Sequence, residues 1–111
     1  MRKVNIPFCL EIMSRYVFQM VTFQKFLNQE GDSMPFYVSY EFADFSTSAR
    51  VARLRCADYV SYLVRNHVVL SAQPYSCASA DGSYEVLYEV VDDGKIEYYG
   101  FRKCSLWSNR G

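Results

Sequence analysis

The chain has 111 residues, half of them apolar and 17% aromatic, with 12 Lys and Arg against 12 Asp and Glu. That size and composition predict a single domain over residues 1–111 and exclude a wholly disordered chain. The balanced charge excludes both the overall basic excess by which many proteins neutralise phosphates and the acidic excess of a nucleic-acid mimic.

The first element is ambiguous between helix and strand. Cys9, Met13, Tyr16, Met20, Phe23 and Leu27 recur at steps of four and three, with Glu11, Arg15, Gln19, Thr22, Lys25 and Gln29 marking much of the opposite side. Asn5 can cap such a helix, Pro7 suits its first turn and Gly31 can end it. The β-branched and aromatic run Tyr16 to Phe23 would equally suit a strand. The sustained period favours the helix. Phe8, Phe18 and Phe26 then fall outside its main stripe and offer a second packing face, a candidate for self-association into a homodimer.

Pro35 to Phe45 alternates as a strand should, with Phe36, Val38, Tyr40 and Phe42 on one face. Thr47 or Ser48 caps a second helix, residues 48–66, whose Ala49, Ala52, Cys56, Tyr59, Val60 and Leu63 gather on one side at 100° per residue. Val68 to Ala72 is β-like and is expected to stop before Pro74. Asp93-Gly94 then form a two-residue hairpin turn between Val- and Tyr-rich runs. This turn pairs Asp92 with Lys95, Val90 with Glu97, Tyr88 with Tyr99, Val86 with Phe101 and Tyr84 with Lys103. On the other face it sets Val91 against Ile96, Glu89 against Tyr98, Leu87 against Gly100 and Glu85 against Arg102. Residues 105–111 read as a short tail with one apolar anchor, Trp107. The expected fold is α+β: two helices packed on one face of a small, mainly antiparallel sheet ending in a three-strand meander.

Reactive groups are scattered. Cys9, Cys56, Cys77 and Cys104 contain no Cys-x-x-Cys pair, and are expected as reduced thiols rather than as a metal or disulfide framework. The single histidine, His67, stands about 16 Å from Cys56 along the helix. Asp92 and Asp93 are turn residues, and no Gly-rich phosphate loop occurs. No catalytic set, metal site or cofactor is therefore predicted. No apolar run reaches the length of a membrane span, and Asn5, Pro7 and Glu11 spoil a signal-peptide core, so the expected setting is cytoplasmic.

What remains is the arginine content of the second helix. Arg50, Arg53, Arg55 and Arg65 spread over more than half its circumference with Asp58 the only acid among them, and guanidinium groups suit carboxylate and phosphate recognition. The expected function is a small non-enzymatic protein acting through contacts with an acidic protein surface, as an inhibitor or an accessory subunit. A mobile-element protein directed against a host defence complex is one concrete version, resting on size and lack of motifs rather than on any residue. The alternative is a nucleic-acid-binding regulator that lays helix 48–66 on phosphates.

Overall fold

The computed structural model describes residues 15–27 and 35–106. Along them run β1 (Tyr16–Lys25), β2 (Phe36–Ser46), α1 (Ala49–Arg65), β3 (Ser71–Ala78), β4 (Tyr84–Asp92) and β5 (Lys95–Ser105). The strands form one antiparallel sheet in the order β2-β1-β5-β4-β3, and α1 crosses one face of it. With one helix among the described residues the fold is mainly β. This corrects the α+β expectation of two helices, because the first expected helix contains strand β1.

The reason lies in where β1 sits. It is an inner strand, flanked by β2 and β5, and Gln19 to Phe23 are all buried. A strand covered on both faces loses its alternation, and chance spacing can then imitate a helical stripe. Two of the polar residues that looked like a solvated helix face, Gln19 and Thr22, are satisfied internally. Gln19 donates to the Phe42 carbonyl at 3.0 Å and accepts from Arg102 Nε at 3.0 Å, and the Thr22 and Ser39 hydroxyls meet at 2.7 Å. Phe8, Cys9, Trp107 and the expected helix-end residues Asn5, Pro7 and Gly31 lie outside the described residues.

The expected second helix is present as α1. Ser48 is extended, and its Oγ accepts from the Val51 amide at 3.1 Å. At the other end His67 adopts φ 59°, its amide bonds Val64 O, and the Val68 amide reaches back to Leu63 O at 2.9 Å. That left-handed closure gives His67 a helix-ending role. Ala52, Cys56, Val60 and Leu63 are the buried face of the helix, and the last three join Met20, Val90 and Tyr99 in one core.

The hairpin turn is where the sequence placed it, and pairs from Asp92↔Lys95 out to Tyr88↔Tyr99 match the expected register. Beyond Tyr88 a bulge at Leu87 shifts everything by one, so Val86 pairs with Gly100, Glu85 with Phe101 and Tyr84 with Arg102. Val86 therefore turns to the face opposite Tyr88 and Tyr99, while Glu85 turns toward α1. The strand expected to stop before Pro74 instead runs through it. Pro74 is tolerated because β3 is an edge strand, and the β3–β4 register breaks between Pro74 and Cys77.

A second apolar cluster, Val21, Phe23, Phe36, Tyr84, Val86 and Tyr98, fills the face away from α1. Phe36 on β2 and Tyr75 on β3 belong to opposite edges, which in a flat five-stranded sheet stand about 19 Å apart. Their rings nevertheless meet at 5.9 Å, so the sheet curls strongly toward that face, as bulged strands do. Lys25 Nζ caps the junction, 5.9, 5.5 and 5.5 Å from the rings of Phe36, Tyr75 and Tyr98.

Candidate functional site

Because α1 packs through the Ala52–Cys56–Val60–Leu63 stripe, residues near either edge of that stripe can reach down to the sheet while the rest point outward. The four arginines divide on this basis. Arg53 leans over one flank and grips the Glu85 carboxylate, with Nε at 3.2 Å from both oxygens and Nη2 at 3.0 Å from one of them. Its guanidinium carbon stands 6.0 Å from the centre of the Phe101 ring. Arg55 leans over the other flank and takes Asp44 on β2 in a two-point contact at 2.8 and 2.6 Å. Each carboxylate holds its arginine's pKa above the ordinary value. Two of the expected partner-binding residues are thus occupied in holding the helix to the sheet.

Arg50 and Arg65 are exposed and make no ion pair among the described residues. They lie fifteen residues apart, about 22 Å along the helix, so the structure does not bring them into one cluster. Between them lie groups that the sequence reading missed. Val51, Leu54 and Tyr62 are 41%, 58% and 49% exposed, and at 100° per residue they fall on the side opposite the core stripe, together with Asp58 and Arg65. The same angular bookkeeping that located the core contained this second stripe. Tyr62 continues an aromatic ladder that climbs from the sheet, with Tyr40 against Phe42 at 4.8 Å, Phe42 against Tyr59 at 5.4 Å and Tyr59 stacked on Tyr62 at 6.3 Å.

The other candidates fall elsewhere. Phe18 packs edge-on against Phe101 at 5.4 Å, and Phe26 lies against Tyr37 at 4.8 Å, so with β1 a strand they do not share a helix face. His67 is exposed at the helix end, whereas Cys56 is buried in the core and its thiol is pushed up to about 12, first by burial. Cys77 and Cys104 are free thiols as well. Among the described residues no three His, Cys, Asp or Glu side chains converge to hold a metal, and no helix is long and apolar enough to cross a membrane.

The fold and this surface define a small, mainly β protein with a single described helix that is pinned to a curled sheet by two bidentate ion pairs. Comparison of the chain with protein-family models, with curated proteins and with solved structures finds no match.

Proposed function

We propose that this is a non-enzymatic binding protein that acts through protein–protein contacts, as an inhibitor or accessory subunit, and that it docks by the outer face of α1. The observation supporting this is the exposed stripe Val51, Leu54 and Tyr62 with Arg50 and Arg65, unpaired among the described residues, toward its two ends. A face kept only for solvent gains nothing from three large apolar side chains. An apolar centre with arginine at the rim is the usual anatomy of a protein interface. Unpaired guanidinium groups at the rim fit a partner with acidic residues around an apolar patch. The nucleic-acid reading loses ground because Arg53 and Arg55 already spend their charge on Glu85 and Asp44.

A photo-crosslinking residue at position 54, with position 95 in the hairpin as control, tests the reading in the native host. The expected result is a protein adduct from position 54 that is absent from position 95 and lost in the Arg50→Glu/Arg65→Glu variant. Adducts to nucleic acid, or equal labelling from both positions, would overturn it.

A further inference from the structure

Beside the outer stripe, α1 and the sheet leave an open groove of about 340 Å³, walled by Val60 and Val64 of the helix and by Ala72, Pro74 and Tyr88 of β3 and β4. Arg65 stands at its lip. We infer that this groove seats one extended segment of the protein partner, which places an apolar side chain between α1 and β3 and a carboxylate on Arg65. The inference rests on the reading of α1 as a contact element and adds the place and chemistry of one contact.

Size is the first argument. The volume lies at the small end of ligand-binding clefts, enough for one or two side chains and too little for a globular domain to enter. Charge is the second. Arg53, Arg55 and Arg102 are each matched to a carboxylate of the fold, at 3.0, 2.6 and 3.1 Å, whereas Arg65 has no such partner among the described residues. An unmatched guanidinium beside an apolar wall is complementary to a carboxylate carried next to an apolar group, and the planar fork favours two-point recognition.

The polar atoms around the groove suit a peptide. Ser61 offers a hydroxyl from the helix side. Pro74 has no N–H, so the β3 edge at this point cannot extend the ladder, and the segment is held by its side chains rather than by strand addition.

The test uses a short Ser- and Gly-rich peptide, acetylated and amidated, with a central leucine followed by glutamate, titrated into the 15N-labelled protein. Amide signals of Ser61, Val64, Ala72 and Tyr88 should move while those of Asp93 and Gly94 stay fixed. Replacing the peptide's glutamate by glutamine should weaken binding roughly tenfold. The Arg65→Gln variant, checked for an unchanged thermal midpoint, should bind the two peptides equally. No movement of the groove signals at millimolar peptide, or movement indifferent to both the acid and Arg65, would overturn the inference. Crosslinking from position 54 is independent of this titration, so the docking face can stand when the groove fails, and the groove's acid preference can be seen when the docking face fails.

Discussion

Gly100 on β5 lies directly beneath the β4 bulge: a Cβ placed on it would collide with the carbonyl oxygen of Glu85 and stand 2.9 Å from the Val86 Cα. Both obstacles are backbone, so neither can swing aside. The glycine is what lets β4 cross close enough to slip its register at Leu87, and the slip is what aims Glu85 at Arg53.

Gly100→Ala should therefore lower stability by about 3 kcal/mol, by overpacking against main chain. Gly94, at φ 78° in the turn with open space around its α-carbon, should lose only about 1 kcal/mol on the same change. Urea unfolding of both variants checks this, and a smaller loss at position 100 than at position 94 would mean that the bulge is misplaced.

The bulge also decides which arginine Glu85 serves. A double-mutant cycle between Arg53 and Glu85 should show a favourable coupling of a few tenths to about 1 kcal/mol, the range for a partly exposed pair. The cycle between Glu85 and Arg102 should show none, although an unbulged hairpin would set those two opposite each other.

This is where the sequence stopped being readable. The turn at Asp93-Gly94 is local chemistry, and so is the Ser48 cap, so α1 and the first half of the hairpin could be placed from neighbouring residues alone. The bulge depends on a clearance between two strands, which no local pattern records. Strand β1 hid for a different reason: packed on both faces, it alternates in neither, and its buried Gln19 and Thr22 read as solvent-facing. The arginines were identified correctly as unusual, but their sorting required Glu85 and Asp44, which are 32 and 11 residues away.

Lys25, over three rings on the curled side, should contribute about 1 kcal/mol through cation–π attraction. Lys25→Met keeps much of the apolar stem and removes the charge, so its effect isolates that contribution. Denaturant midpoints of parent and variant report it, and equal midpoints would reduce the lysine to a bystander.

High pH should be destabilising through groups that must stay neutral in the core. Burial raises the Cys56 thiol from an ordinary 9.0 to about 12, so the unfolded chain releases that proton first. Its contribution is intact below about 9 and is lost progressively between about 9 and 12. Burial moves Tyr99 in the same direction from its ordinary 10.0, so it adds to the loss above that value. Thermal midpoints should therefore fall as pH rises past about 9, and fall less steeply in Cys56→Ala. At neutral pH a thiol reagent should modify Cys77 and Cys104 while Cys56 reacts only on unfolding.

The strand order carries a kinetic consequence. β1–β2 is a hairpin and β3–β4–β5 a meander, each closed by nearby residues, yet the two halves join along β1 and β5, where Val21 faces Gly100. Closing so long a loop delays the centre of the sheet relative to its wings, and refolding belongs in the millisecond-to-second range of proteins built on distant strand pairings. During synthesis β1 presents an open edge until β5 has left the ribosome. An inner strand of the finished sheet is thus the most exposed to mispairing while the chain is being made.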